Sequence, residues 1–512
     1  MVQFEILKKS SEVDRTQSKG RLVVVSNRVP VPTAAGSPPP GGLATALSAA
    51  LETQGGLWFG WSGKICAEND PPLQEKTVGN VDYAVADLSR RDHDEYYHGF
   101  ANSALWPVCH YRLDLADLSR RNANGYFRVN EQFARRLARM LRPDDNIWVH
   151  DYHFIPMAAF LRDLGFTNPL GFFLHIPFPP SDIAAAIPNY DRILRSLAAY
   201  DLVGFQTPID AENFKGCLVR SGQATILDGD WVSAYGRKFR VAAFPISIET
   251  KAFAQEARLA EKNIIVKRTR QSLEGHPLVI GVDRLDYSKG IKQRIDSFAT
   301  FVEKSHAAAK SRVTMLQITP KSRSEVSEYA QMQRQVAEHV GHVNGKLGDV
   351  DWTPVRYINK AMSRAALAGL YRMARVGLVT PLRDGMNLVA KEYVAAQSPE
   401  DPGVLVLSRF AGAAYELESA LIVNPYDIEE TAAAISQAYE MPLRERRDRW
   451  EAMMSVLESN DVDAWCRRFL LDLSGETADI KLPHSDQPEV ATMSEDEAWR
   501  STKPALWTTI GR

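Results

Sequence analysis

Cysteine is scarce. Cys66, Cys109, Cys217 and Cys466 are the only four in 512 residues, and none forms a CxxC pair. That spacing argues against a zinc cluster and against a disulfide scaffold. Four reduced thiols fit a cytoplasmic protein. Long apolar runs are missing too, so no helix capable of crossing a membrane is expected. The first twenty residues lack the apolar stretch of a secretory signal. No charge of one sign dominates: 61 Lys+Arg face 63 Asp+Glu, a formal net charge of -2. A dedicated nucleic-acid binder would carry a basic excess. No GxxxxGK[ST] loop is present, against a P-loop ATPase, and no GxGxxG follows the first strand, against a nicotinamide-dependent dehydrogenase.

What is present is a regular alternation. Short apolar runs of strand length recur between amphipathic segments. In the first half they are Arg21–Ser26, Leu57–Trp61, Asp82–Ala86, Asn146–His150, Leu170–His175, Leu202–Phe205 and Phe239–Phe244. In the second half they are Leu278–Val282, Val313–Thr319, Val355–Ile358, Val376–Val379, Val404–Ser408 and Leu421–Asn424. Helices are expected between them, among them Leu43–Leu51 and Asn130–Leu141, the latter from Phe133, Leu137 and Leu141 on one face. Buried strands joined by helices imply parallel sheets. The chain therefore reads as two doubly wound α/β domains, 21–246 and 247–458. A polar extension, 1–20, precedes them. A helix, 459–475, is expected to cross back to the first domain, ahead of a mobile tail, 476–512, that carries Trp499 and Trp507.

Parallel sheets bind ligands where their strands end. Arg28 ends the first strand, where a cation suits a phosphate. Gly41-Gly42 opens the next helix, either as a flexible turn or as a place for an anion to meet backbone N–H groups. Trp58, Phe59, Trp61, Tyr96, Tyr97 and Trp106 are either core or a platform for sugar rings. His150, Asp151, His153 and His175 follow two adjacent strands; they suit hydroxyl groups better than a metal, for which the spacing is wrong. Arg284 and Lys289 flank a turn into a helix, a construction suited to a leaving diphosphate. Arg323, after another strand, suits a second phosphate. In TPLRDGMNLVAKE, Asp384 and the N–H groups of Gly385, Met386, Asn387, Leu388 and Val389 would meet a ligand, and Glu392, one turn on, can bridge ribose hydroxyls. Three acid-x-acid pairs, Asp228/Asp230, Asp349/Asp351 and Asp461/Asp463, follow no buried strand and read as loop or cap residues. These residues alone point to a transferase using a nucleotide-activated substrate.

The strings SNRVP, GGLWFGWSG, HDYH, HIPFP, VDRLDYSKG and TPLRDGMNLVAKEYVA resemble the trehalose-6-phosphate synthase family. The resemblance runs from about Arg21 to about Gly475. It implies a GT-B fold, with two Rossmann-like domains and the active site between them. It also implies retaining transfer of glucose from UDP-glucose to glucose 6-phosphate, with no cofactor, no metal in the chemistry, and a homo-oligomeric enzyme free of nucleic acid and membrane. Carried over by position, Arg28 and Arg323 hold the acceptor phosphate, and Tyr97, Trp106 and Asp151 the acceptor sugar. Gly41, Gly42, Arg284 and Lys289 meet the donor diphosphate. His175 and Asp384 surround the transferred glucose. Met362, Leu388 and Glu392 meet the nucleoside, with Gly385, Met386, Asn387 and Val389 beside them. The catalytic set is Arg284, Lys289, Asp151, His175 and Asp384. Glucosylglycerol-phosphate synthases, pseudo-glycosyltransferases and a non-catalytic sugar-phosphate sensor share this pattern, as do users of ADP- or GDP-glucose.

Overall fold

The structure is a computed structural model that describes residues 20–32, 47–48, 50–52, 54–68, 70–320 and 327–475. Two sheets organise it. The first takes β1 Leu22–Arg28, β2 Gly56–Cys66, β3 Gln74–Val78, β4 Val81–Ser89, β5 Asn146–His150, β6 Leu170–Phe173, β7 Leu202–Phe205, β8 Ala224–Ile226, β9 Trp231–Ala234 and β10 Arg237–Ala243. Their order is β3-β4-β2-β1-β5-β6-β7-β10-β9-β8. From β4 to β10 every pairing in that order is parallel, and β3, β9 and β8 are antiparallel additions at the two edges.

The second sheet takes β11 Leu278–Val282, β12 Thr314–Ile318, β13 Val355–Ile358, β14 Val376–Val379, β15 Val404–Ser408 and β16 Leu421–Val423. All its pairings are parallel, in the order β13-β12-β11-β14-β15-β16. That is the doubly wound 3-2-1-4-5-6 arrangement. Strands β5, β6, β7, β11, β12, β14 and β15 are buried almost throughout. Sheets covered by helices on both faces require such continuous apolar runs.

The interior strands lie where the apolar runs predict, within a few residues. The edge strands do not announce themselves: β3 is QEKTV, exposed along its whole length. Charged, short edges of this kind resist pairing with other chains, and they carry no apolar signal. The helix expected from Asn130 begins instead at Arg120, capped by Ser119, and ends at Ala138. Its first turns are polar, so periodicity misses them. The segment His93–Leu105 forms a π-helix, whose wider turn the 3.6-residue period does not detect. The expected helix Leu43–Leu51 lies largely outside the described residues, as do Trp499 and Trp507.

The helix Val462–Ser474 leaves the second sheet and packs on the first. Phe469 lies against Gly171 of β6 and Gly204 of β7, where any side chain would overlap its ring. It stacks on Trp148 at 4.5 Å, and Trp465 donates its indole N–H to the Phe244 carbonyl at 3.1 Å. Asp461 caps this helix through the Ala464 N–H at 2.9 Å. Asp351 pairs with Arg312 at 2.6 Å. Both acids thus have structural work. No helix among the described residues is long and apolar enough to cross a membrane.

Candidate active site

Strand order reverses beside β1 in the first sheet and beside β11 in the second. The loops that leave neighbouring strands in opposite directions open a crevice there.

One wall comes from the first sheet. Arg28, the last residue of β1, is exposed, and its guanidinium lies against Gly63 of β2. Asp151 follows β5 in the left-handed region, φ 72°. Its N–H donates to the Phe173 carbonyl at 2.8 Å and its carboxylate accepts the His175 N–H at 3.3 Å. A positive φ outside glycine is a strained conformation that often marks a site. Behind it, His150 Nδ1 meets His175 Nε2 at 3.1 Å. The Gln206 amide oxygen accepts the Ile246 N–H at 3.0 Å, which turns the amide nitrogen toward His175 Nδ1, 3.5 Å away. That network assigns the His175 proton to Nε2. Burial pushes the His175 imidazole down to about 3 and that of His150 well below its usual value. Both are neutral near pH 7.

The π-helix supplies Tyr97 to the same wall, half-buried between Trp61 at 5.0 Å and His153 at 5.8 Å. Trp106 begins the next short helix. Its carbonyl meets His110 Nδ1 at 2.7 Å, and burial lowers His110 to about 4.

The opposite wall comes from the second sheet. Asp283, after β11, pairs with fully buried Arg294 at 2.6 Å. A tight turn, Tyr287–Lys289, follows, and Asp286 holds it by accepting the Ser288 N–H at 3.0 Å. Lys289 is buried and forms an ion pair with Asp384, which follows β14. Asn387, φ 73°, donates to Asp384 at 3.0 Å and to Asp283 at 3.4 Å. The helix Leu388–Ala396 starts there with Glu392 one turn in. Burial, opposed by Arg364 and Tyr371, raises the Glu392 carboxyl to about 7. Met362, Ile358 and Leu388 are partly buried against one apolar cluster beside it.

The walls touch. The Arg284 guanidinium lies 5.9 Å from the Trp106 ring and that of Arg112 5.4 Å from the Tyr287 ring. Arg383 donates to the Tyr111 hydroxyl at 2.7 Å. Gly385 passes so close to the His175 carbonyl that a Cβ would overlap it. A cavity of about 260 Å³ lies behind this contact, lined by Pro177, Thr207 and Asp210 from one domain and Arg383, Asp384 and Tyr415 from the other.

The structure therefore gathers Asp151, His175, Arg284, Lys289, Asp384, Gly385 and Asn387 around one crevice. Tyr97, Trp106 and Arg28 lie on its first wall; Met362, Leu388, Val389 and Glu392 lie on the second. Gly41, Gly42 and Arg323 lie outside the described residues. Of the groups left open between core and ligand contact, several are interior. Trp58, Phe59, Trp61 and Tyr96 are core, His150 is fully buried, and His153 packs beneath Tyr97. Met386 is 3% exposed and belongs to the apolar core. Arg383, Gln206 and Asn387 as a bridge to Asp283 escape sequence reasoning. A strand-end cation signal points to Arg383; nothing local marks Gln206, whose partners are distant in sequence.

The model of the family described as glycosyltransferase family 20 matches residues 20–475. A trehalose-6-phosphate synthase of Sinorhizobium fredii (strain NBRC 101917 / NGR234) is 59% identical over 459 residues, covering 89% of this chain and 99% of that protein. A UDP-forming α,α-trehalose-phosphate synthase of Burkholderia xenovorans, solved in complex with glucose 6-phosphate, is similar with a TM-score of 0.85 and 46% identity, over 89% of this chain and 100% of that one. The Escherichia coli protein solved with UDP-2-fluoro glucose has a TM-score of 0.83 and 46% identity, over 89% and 99%.

Proposed function

The chain belongs to glycosyltransferase family 20, and from that premise we propose that it transfers glucose from UDP-glucose to glucose 6-phosphate. The products are α,α-trehalose 6-phosphate and UDP, with the donor's anomeric configuration retained. The fold is GT-B, and the crevice between its two domains is the place of reaction. One observation carries the assignment of roles: Arg284, five residues before Lys289 in the same loop, lies over the Trp106 ring. Cations of the donor wall thereby meet the aromatic acceptor wall.

In this reading Arg284 and Lys289 neutralise charge that develops on the departing diphosphate. Charge placed in advance where it will be needed is a large part of many rate enhancements. Asp384 accepts a hydroxyl of the transferred glucose once Lys289 turns to the diphosphate. Tyr97, Trp106 and Asp151 hold the acceptor sugar, Arg28 its phosphate, and Glu392 the ribose. The acceptor's anomeric oxygen attacks the face from which the diphosphate leaves. The C1–O bond to the diphosphate breaks, the new C1–O bond forms, and the acceptor's proton passes to the departing phosphate oxygen. No protein base, metal or other cofactor is required by these steps. His175, held neutral, offers hydrogen bonding without charge. Unpaired cysteines and phosphorylated substrates fit a cytoplasmic enzyme.

The test is a matrix of UDP-, ADP- and GDP-glucose against glucose 6-phosphate and glycerol 3-phosphate. UDP release dependent on glucose 6-phosphate, with an α,α-linked product by NMR, is expected. Release that ignores glucose 6-phosphate overturns the reading.

A further inference from the structure

Away from the crevice, the first domain holds a cavity of about 550 Å³. The helices Met157–Asp163 and Tyr190–Leu197 and the β9–β10 turn enclose it. Asp201, whose carboxylate anchors two of its arginines, directly precedes β7, and Arg237 begins β10. The cavity therefore lies at the end of the sheet where these strands start. Asp151 and His175 lie at the opposite end, so a molecule bound here is no reactant.

The lining is unusual in charge. Arg162, Arg192, Arg195 and Arg237 surround a floor that includes Phe127, Pro156 and Phe160. Arg162 is a strut: it bonds the carbonyls of Phe166 and Asn168 and pairs with Asp201 at 2.7 Å. Arg237 shares Asp201 at 3.0 Å. Arg192 and Arg195 are exposed and reach no carboxylate within ion-pair distance among the described residues. Each instead lies over a ring: Arg192 3.8 Å from Phe127, Arg195 5.4 Å from Tyr235. Against the four guanidiniums stand Asp163 and Asp201, with Glu131, itself paired to Arg135, facing Arg192, so the cavity is net positive. Tyr235 is held at φ 49°, and both its hydroxyl and Arg237 Nε are buried without a hydrogen-bond partner among the described residues.

We propose that this cavity is a second ligand site, taking a phosphate monoester on a short carbon skeleton. The net positive charge suits a phosphate. Guanidiniums held over rings rather than against carboxylates leave N–H groups available to phosphate oxygens. The apolar floor accepts the carbon skeleton, as in small-molecule sites generally.

The test uses calorimetry on the full chain with glycerol 3-phosphate and with inorganic phosphate as probes. Arg192→Gln/Arg195→Gln tests the cavity; Arg28→Ala/Arg284→Ala tests the crevice. Binding that survives in the crevice variant and weakens about tenfold or more in the cavity variant supports the proposal, a size set by the loss of charge-assisted hydrogen bonds. Glycerol 3-phosphate should bind several-fold more tightly than inorganic phosphate. Binding lost in the crevice variant and kept in the cavity variant overturns the proposal, as does equal affinity for both probes. A changed oligomeric mass in the cavity variant with no probe binding to the native chain also overturns it, by making this face a subunit contact.

Discussion

The ammonium of Lys391 donates to the carbonyl of Ile246 at 2.8 Å. Lys391 belongs to the helix that carries Glu392; Ile246 lies in the crossover between the domains. The N–H of the same Ile246 is held by Gln206, which faces His175. One residue of the crossover is thus gripped by the donor wall on one side and by the histidine pair on the other.

Lys391 is fully buried and its charge is balanced by Glu416 at 2.5 Å. Removing one partner of such a pair leaves the other charge uncompensated. Lys391→Met should lower unfolding free energy by about 3–5 kcal/mol, measured by denaturant titration. Lys391→Met/Glu416→Leu should recover most of it. A single variant as stable as the native chain would show that the pair does not hold the crossover.

Arg284 is exposed and, apart from lying over the Trp106 ring, fills no core position, so Arg284→Ala should keep the native circular dichroism. Its turnover should fall by about 10²–10³-fold, as for other groups that stabilise developing charge. Native kcat would remove Arg284 from the donor diphosphate.

At Gly385 the demand is geometric. The methyl of Gly385→Ala would overlap the His175 carbonyl and push the walls apart. A displacement near 1 Å at a reacting centre costs about 10² in rate. The variant should keep both domains folded and lose turnover by about that factor; stopped assays with both substrates saturating would read it.

In its proposed role on the ribose, Glu392 should make donor binding pH-dependent. Its carboxyl is raised from the usual 4.5 to about 7 in the folded chain. Between those values the folded chain keeps a proton that the unfolded chain has released, so this group's contribution to stability falls as pH rises across that window. Function runs the other way, because the ionised carboxylate is the better acceptor for a ribose diol. The KM for UDP-glucose should fall as pH rises through about 7. Glu392→Gln should flatten that profile; an unchanged profile would remove Glu392 from the ribose.

How much of this was legible beforehand divides by range. The interior strands were legible because burial on both faces demands short, β-branched apolar runs such as LVIGV and VLVLS, bounded by turn residues. The edge strand QEKTV was not, because an edge is kept polar to stay unpaired. The candidate site was legible as strand-end chemistry: Arg28, Asp151, Arg284, Lys289 and Asp384 stand where apolar runs stop. Neighbours in sequence were harder to separate. Tyr96 is core while Tyr97 faces the crevice, and His150 is interior while Asp151 is on the wall. The π-helix turn and the left-handed backbone at Asp151 decide those orientations, and neither has a compositional signature.

The sequence by itself determined two parallel-sheet domains, their internal strands and a set of cations and carboxylates at strand ends, since local periodicity and turn chemistry suffice for these. Only the tertiary structure decided which of those groups meet. Arg284 over Trp106, Gly385 against His175 and Lys391 on Ile246 each join residues 145 or more positions apart in the chain. Such meetings arise from the packing of one domain on the other, and that packing is set by summed contacts that no short segment contains.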